Sequence, residues 1–393
     1  MGFAVERNLF ACFSQVRLFM KLTPGLPTPY YLIDEQLILD NLKIIQRIKD
    51  LSGCKILLAQ KAFSSFYFYP LLKQYLDGTA SSGLYEARLA YEQFGKEVHV
   101  FTPGFKDEEF EDILKYSDHL VFNSNSQLKR FKQRALAAKK TIGIRINPEV
   151  STQTGSSMYD PCSPTSRMGI KASDIDENLL KGVTGFHFHT LCQQNADALE
   201  ATVKVVEQKF GKYFSQLKWI NFGGGHHLTR ANYDIDKLVR IIKYYKQTYK
   251  LDVYLEPGEA VVLNAGFLVS KVLDVTKNDV EIAILDASAT CHMPDVLEAK
   301  FIPPVTSADP SGKHIIRLSG ATCLTGDDIG IYRFKEPLKV GDPIVFQDMA
   351  LYTIVKNNTF NGIPLPSIYA RKLDGKDVLV KSFTYDHFKE KLS

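Results

Sequence analysis

Short apolar, β-branched runs of six to eight residues recur along the first two thirds of the chain. Each is followed by a longer stretch in which apolar positions return every three or four residues. The short runs predict strands and the longer ones amphipathic helices, because side chains repeat every two residues in a strand and every 3.6 in a helix. Strands are expected at 55–60, 75–81, 97–102, 118–123, 141–147, 182–189, 217–224 and 251–258, with helices at 35–50, 64–75, 84–94, 107–116, 125–139, 173–180, 195–214 and 232–249. Alternation of strand and helix predicts a parallel sheet. Eight repeats fit a closed (β/α)8 barrel of the α/β class; an open doubly wound sheet is the alternative.

After residue 260 the pattern changes to β-rich pieces at 280–288, 314–320, 342–349 and 378–383, punctuated by Gly, Pro and Asp, with a small helix near 386–392. The segment TPYYLIDE at 28–35 is also strand-like and precedes the barrel. The expected organisation is a barrel over 35–259 and a second, C-terminal β-domain over 260–393 that also takes in 20–34, which makes it discontinuous. Residues 1–19 mix Glu6, Arg7 and Arg17 with aromatics and lack a signal-peptide cleavage pattern, so they are expected to be a disordered extension, a transit peptide being the alternative.

Composition narrows the function classes. The 393 residues are 45% hydrophobic and 23% charged, as in an ordinary globular protein. Forty-eight basic residues are interspersed with 44 acidic ones, a net of +4 that makes no nucleic-acid surface. No apolar run reaches the ~18 residues of a membrane span; the best, 260–269, is interrupted by Asn264. Six cysteines without a CxxC pair point to free thiols in a reducing, cytoplasmic setting.

In a barrel the chemistry sits at the C-terminal ends of the strands. The first strand leads into Lys61, which is either a lysine snorkelling to solvent or a partly desolvated, nucleophilic amine able to form a Schiff base. Later strand ends carry Arg145 and Asn147, then His187 and His189, then Gly223-Gly224-Gly225, and finally Glu256 in LEPGE. The triple glycine is a turn or a place where bare backbone N–H groups approach an anion. It lacks the GxGxxG context of a dinucleotide fold. His187 and His189 share a strand face; they could be core histidines, metal ligands or, for an imidazole, a stack against a flat cofactor ring, and no second His/Asp cluster at the other strand ends supports a metal. Glu256 is either a surface turn acid or a carboxylate that keeps a pyridine nitrogen protonated.

Taken together, Lys61, "FHFHT" (185–190 region), "NFGGG", "LEPGE", "SGATCLTGDD" (319–328) and "FQDMALYTIVKNNTFNG" (346–362) resemble the fold-type III pyridoxal-phosphate decarboxylases, the relatives of ornithine and diaminopimelate decarboxylases. The resemblance spans about Thr28 to Tyr369. Within that family, "LLAQKAFS", "TASSGLYEA", "SRMGI" and "DASATCHMPDVLE" look most like the branch acting on carboxynorspermidine or carboxyspermidine in polyamine synthesis. Two departures from the diaminopimelate enzymes stand out. Their "EPGR" is "EPGE" here, and Glu259 suits a distal ammonium where an arginine suits a second carboxylate. Their "HxGS" is His189-Thr190-Leu191-Cys192, without the serine that helps hold phosphate.

The resemblance implies pyridoxal 5'-phosphate as cofactor, bonded to Lys61, with His189 stacked on the ring, Gly224, Gly225 and Tyr352 at the phosphate, and Glu256 at the pyridine nitrogen. It implies Cys323 as proton donor, reaching across a homodimer interface. Glu259 and Asp295, and more weakly Asp286 and Asp328, are expected to meet the amines of a small polyamine-type amino acid; no metal is expected. Another basic amino acid decarboxylase (for diaminopimelate, ornithine or lysine) and a non-catalytic homologue that binds partners are the alternatives.

Overall fold

The computed structural model describes residues 22–153 and 159–393; the expected extension over 1–19 lies outside them. Eight strands, Lys55–Ala59, Gly78–Ser81, Glu97–Phe101, His119–Phe122, Thr141–Asn147, Gly185–His187, Trp219–Asn221 and Asp252–Leu255, pair in that order, all parallel, and the eighth pairs back onto the first. The barrel is closed, and each strand lies inside its expected range. The open-sheet alternative is excluded by the closing pair Tyr254–Lys55 and Leu255–Ile56.

Alternation explains what the barrel encloses. Ile56, Leu58, Val98, Val100, Leu120, Phe122, Ile142 and Ile144 are buried in the main core with the surrounding helices. The intervening residues Leu57, Val121, Trp219 and Tyr254 form a separate small cluster, which is the barrel interior. The single tryptophan is its largest member. Room for the indole comes from Gly143 and Gly185 on neighbouring strands, where an added Cβ would fall 2.4 and 1.9 Å from Trp219. Continuing the same parity toward the C-terminal ends brings Lys61, Arg145, His187, Asn221 and Glu256 into line with the barrel axis.

Below this level, the strand starts carry a polar plug. Lys55 Nζ donates to Glu97 at 2.6 Å and to Tyr254 Oη at 3.0 Å, and Glu97 lies 3.2 Å from His99 Nε2. His99 stacks on His119 at 3.9 Å. The Glu97–His99–His119 group has the donor types of a metal site, but the Lys55 ammonium already neutralises its one carboxylate.

The second sheet is mixed. Its strands run in the order Asp328–Phe334, His314–Ser319, Glu281–Leu285, Gly266–Lys277, Tyr30–Asp34, Ser367–Arg371 and Asp377–Lys381, with Pro343–Gln347 also paired along Gly266–Lys277. Tyr30–Asp34, which precedes the barrel in sequence, is antiparallel to Gly266–Lys277 and parallel to Ser367–Arg371. Asp34 then ends that strand and caps the helix Glu35–Ser52 by accepting from the N–H groups of Gln36 and Leu37. The same five-residue strand therefore ties the second sheet to the first helix of the barrel.

Three strands of the second sheet escaped the sequence pattern: Gly266–Lys277, Asp328–Phe334 and Ser367–Arg371. The first is buried over its initial five residues but mostly exposed beyond them, which erases the alternation. Two expected helices are reduced to single turns. Within 64–75, Pro70 has no N–H to donate and the helix shrinks to Tyr69–Leu72. Within 173–180, only Ala172–Asp174 and Glu177–Leu179 turn, with the Asp176 carboxylate capping the Asn178 N–H.

His292 is fully buried. Its Nδ1 accepts from the Ser288 N–H at 3.2 Å, and its Nε2 lies 3.1 Å from the Pro364 carbonyl, so the neutral ring with its proton on Nε2 satisfies both contacts. Burial pushes its pKa down to about 4. The unfolded chain takes up this proton near pH 6.5 and the folded one does not, so stability falls as pH drops from about 6.5 toward 4. His292→Gln is expected to flatten that acid limb by up to about 1.4 kcal/mol per pH unit, read from urea unfolding at a series of pH values; an unchanged slope would contradict the assignment.

Candidate active site

A cavity opens at the C-terminal mouth of the barrel, lined by Lys61, His189, Cys192, Gln193, Gly224, Gly225, His227, Glu256, Glu259 and Tyr352, among others. A wider, open groove runs along 358–362 and Phe388, but the only ionisable side chain among its lining residues is Lys391. The chemistry is concentrated in the smaller cavity.

Lys61 sits in the turn after the first strand, with Ala62 N–H bonded back to the Ala59 carbonyl at 3.1 Å. Protein encloses its amine on most sides, while the open cavity leaves the side chain accessible to solvent. Desolvation lowers its pKa, and the Arg145 charge adds to that; Glu256, Glu259 and Glu86 oppose it. These surroundings fit the second of the two readings of Lys61, a partly desolvated amine.

Glu256 follows the eighth strand. Its Oε1 accepts from the Asn221 amide at 2.8 Å and its Oε2 lies 3.2 Å from His187 Nε2. Burial by itself would raise the carboxyl pKa, but His187 and the Asn221 amide outweigh it and hold Glu256 at about 2. His187 is buried, so its own affinity for a second proton is lowered, and as a neutral ring it still donates Nε2–H to the carboxylate. On the far side His187 stacks against Phe101 at 5.6 Å, and the Arg145 guanidinium lies 4.6 Å from the same ring. Arg145 also donates to the His189 carbonyl at 3.2 Å. Burial lowers the guanidinium to about 10, which still leaves it charged at neutral pH.

His189 is held by the glycine turn. The Gly224 N–H donates to its Nδ1 at 2.8 Å, which places the imidazole proton on Nε2. Burial, with the charges of Lys61 and Arg145, drives its pKa well below the usual value, so the ring is neutral. The turn admits only glycine. A Cβ on Gly224 would lie 2.4 Å from the Glu256 carbonyl, and one on Gly225, whose φ is +80°, would lie 2.0 Å from the Leu191 carbonyl. Gly224 was expected to offer its N–H to phosphate; here that N–H is committed to His189. The Gly225 N–H has no acceptor among the described residues.

Tyr352 comes from the second sheet's long loop. Its N–H donates to the Ala62 carbonyl at 3.0 Å, joining that loop to the Lys61 turn. Its φ of +49° is left-handed, a conformation that a bulky residue adopts only where the surroundings impose it. Burial first, then the charge of Glu259, raises the phenol's pKa and keeps it protonated. Glu259 accepts from His227 Nε2 at 2.9 Å and from Gln193 at 3.4 Å. Cys192 stands on the wall between Lys61 and Glu259, with burial raising its thiol to about 11.

The other expected residues lie elsewhere in this chain. Asp295 does not line this cavity and is paired with Lys356 at 2.5 Å. Asp286 and Asp328 lie in the second sheet. Asp286 accepts from Thr28 Oγ at 2.6 Å and from the Lys271 N–H at 2.9 Å, so it braces the second sheet. Asp328 accepts from Ser319 Oγ at 2.6 Å and lies 3.6 Å from Arg317. Neither lines this chain's cavity. Cys323 is exposed, away from the cavity, on a loop shaped by Asp327; that buried carboxylate accepts from Ser288 Oγ, the Thr290 N–H and Thr322 Oγ1. Asn221, His227, Arg145 in its ring contacts and Asp327 were not assigned roles from the sequence. Parity would have found Asn221, two residues before Gly223 and on the inward face.

Known proteins match this arrangement. The family model described as "Pyridoxal-dependent decarboxylase, C-terminal sheet domain" matches residues 30–350, a span that includes every cavity-lining residue but Tyr352. The chain belongs to the pyridoxal-dependent decarboxylases. It is similar to the carboxynorspermidine/carboxyspermidine decarboxylase of Campylobacter jejuni, 41% identical over 376 residues that cover 92% of this chain and 97% of that protein. The carboxyaminopropylagmatine decarboxylase of Synechocystis is 39% identical, covering 94% and 96%. The crystal structure of the Campylobacter jejuni carboxynorspermidine decarboxylase complexed with norspermidine superposes with a TM-score of 0.87 at 39% identity, over 93% of this chain and 100% of that one.

The residues fit the cofactor. Gly225 offers an unclaimed N–H in a turn where a side chain would block approach, Lys61 offers an amine, and Glu256 stays ionised for a protonated ring nitrogen. Gly225→Ala is expected to destabilise the protein by about 2 kcal/mol or more and to weaken retention of pyridoxal phosphate. Thermal unfolding and the visible cofactor absorbance of the purified protein check both; wild-type values for both would overturn the role given to this turn.

Proposed function

We propose that this protein decarboxylates carboxynorspermidine or carboxyspermidine, releasing CO2 and norspermidine or spermidine. The observation that carries this reading is the charge of the wall opposite Lys61. Glu259 stands there, held by His227 and Gln193, and no arginine is among the described lining residues. A substrate with a second carboxylate, such as diaminopimelate, needs a cation at that place; a tail of ammonium groups needs an acid. The likeness to relatives whose names carry these substrates supports the same reading.

Bound pyridoxal phosphate supplies an electron sink for the carbon that loses CO2. The chain supplies the geometry. Lys61, with its lowered proton affinity, is the amine that would hold the cofactor's aldehyde carbon. Asn221 and His187 maintain the Glu256 carboxylate as an anion, which would hold a proton on the cofactor's ring nitrogen. His189, fixed and neutral, would pack against the ring, and the Gly225 N–H and the Tyr352 hydroxyl would hold the phosphate. Cys323 Sγ delivers a proton to the α-carbon of a substrate in the partner's cavity. The active unit is therefore a homodimer, a reading supported by the exposure of Cys323 and its neighbours Leu324 and Phe360, which are 43% and 46% exposed.

Assays with carboxynorspermidine, carboxyspermidine, carboxyaminopropylagmatine and diaminopimelate decide the substrate; turnover of diaminopimelate without the two carboxylated polyamines would refute the proposal. Lys61→Ala is expected to lose the visible cofactor band and at least about 10³-fold in kcat/KM; a variant with full activity is the contrary result. Glu259→Gln is expected to raise KM for carboxynorspermidine about tenfold, or 1.4 kcal/mol, with a smaller change in kcat. An unaltered KM would remove Glu259 from substrate recognition.

A further inference from the structure

Among the described residues that line the cavity, two are acids, Glu256 and Glu259. Both oxygens of Glu256 are taken, one by Asn221 and one by His187. Glu259 differs. Its Oε2 faces His227 Nε2 at 2.9 Å, whereas its Oε1 has only the Gln193 amide, at 3.4 Å. The Glu259 side chain keeps 18% of its surface exposed, against 4% for His227. His227 is also pinned through its backbone. Its N–H donates to the Gln194 carbonyl at 3.2 Å, its carbonyl accepts from the Arg230 N–H at 3.0 Å, and the Gln194 N–H donates to the Gly225 carbonyl at 3.0 Å. Thr229 Oγ1 donates to the carbonyl of Ala260, the residue after Glu259, at 2.8 Å. His227 Nδ1 is buried without a partner among the described residues, so the ring's hydrogen bond is the one to Glu259. A carboxylate only accepts, which places the imidazole proton on Nε2.

We infer that His227 is a positioning residue that aims Oε1 of Glu259 at the secondary ammonium of the substrate's tail, the tail cation nearest the α-carbon. This rests on the polyamine reading above. By occupying Oε2, the imidazole fixes the rotation of the carboxylate and leaves one oxygen for the substrate. The segment that carries His227 begins at Gly225, whose N–H has no acceptor among the described residues. One short turn therefore sets both the phosphate end of the site and the acid that reads the tail. Glu259 shares its cavity with Lys61, where the reacting carbon is held, so it meets the nearer amine of the tail and not the terminal one. In carboxynorspermidine and carboxyspermidine alike, the secondary amine stands two methylenes from the α-carbon. The two substrates differ only in the spacer to the terminal amine, which is one methylene longer in carboxyspermidine. The His227–Glu259 pair therefore treats them alike.

The test is steady-state kinetics of the holoenzyme on both carboxylated polyamines. His227→Phe keeps a ring in the wall and removes the donor. KM should rise about fivefold for each substrate, by the same factor, with kcat and the visible cofactor band little changed. His227→Gln, whose amide can reach the place of Nε2, should stay within about twofold of wild type. In a Glu259→Gln background, His227→Phe should add less than about twofold, because the two residues act as a unit. An unchanged KM in His227→Phe, a loss of kcat or of the cofactor band in its place, or full additivity with Glu259→Gln would overturn the positioning role. KM factors that differ more than about threefold between the two substrates would overturn the assignment to the secondary amine. Should His227→Phe fail to fold, His227→Asn removes the same bond, since its shorter amide stops at the place of Nδ1, and the same outcomes decide. If the wild type turns over neither carboxylated polyamine, the polyamine reading falls and the inference with it; turnover with a KM indifferent to His227 overturns the inference alone.

Discussion

A carboxylate cannot be carried into a barrel interior without donors aimed at it, and the arrangement around Glu256 answers that constraint. Ionised Glu256 costs several kcal/mol to desolvate if left alone. The Asn221 amide and the His187 ring, one strand and two strands away in the closed sheet, each donate to one of its oxygens. His187 is in turn sandwiched against Phe101, and the Arg145 guanidinium lies over that same ring. The pairing Asp252–Trp219 and Gly185–Trp219 puts these residues at one level, because parallel strands in register advance together. These three strands are direct neighbours, and the closing pair Leu255–Ile56 then brings the Lys61 strand alongside Glu256, so the complete site depends on the barrel being closed.

The same economy of donors governs the rim. The Gly224 N–H that might have met an anion instead holds His189, and this fixes both the position and the tautomer of the ring. Two neutral imidazoles, a lowered lysine and one buried anion then coexist within a single cavity because each basic group is desolvated more than it is attracted. Gly224 and Gly225 allow the backbone of the seventh strand's loop to lie against Glu256 and Leu191, an approach that any side chain would block.

The second sheet completes the cavity through Tyr352. The Tyr352 N–H bonds to Ala62, next to Lys61, and Lys356 on the same loop gathers Asp295 and Glu298. The Tyr30–Asp34 strand, paired within that sheet and continuing directly into the capped first helix, fixes the sheet relative to the barrel wall. The loop therefore reaches the site from a base anchored at both ends of the chain.

Period-two alternation and strand-end chemistry made the eight barrel strands, Lys61, His189, the glycine turn and Glu256 legible in the sequence, since a buried parallel strand is an apolar run and its inward parity is a local property. Gly266–Lys277 was not legible, because half of it is exposed and shows no alternation. Partner choice was not legible either. That Asp295 would be neutralised by Lys356, 61 positions later, that Asp286 would brace Thr28, or that Asn221 and not a solvent molecule would meet Glu256 depends on which loops the closed barrel and the second sheet bring together. The sequence by itself determined which side chains face inward at each strand end. Only the tertiary structure decided which charges are paired and which remain available, because pairing is set by distances across elements that lie far apart along the chain.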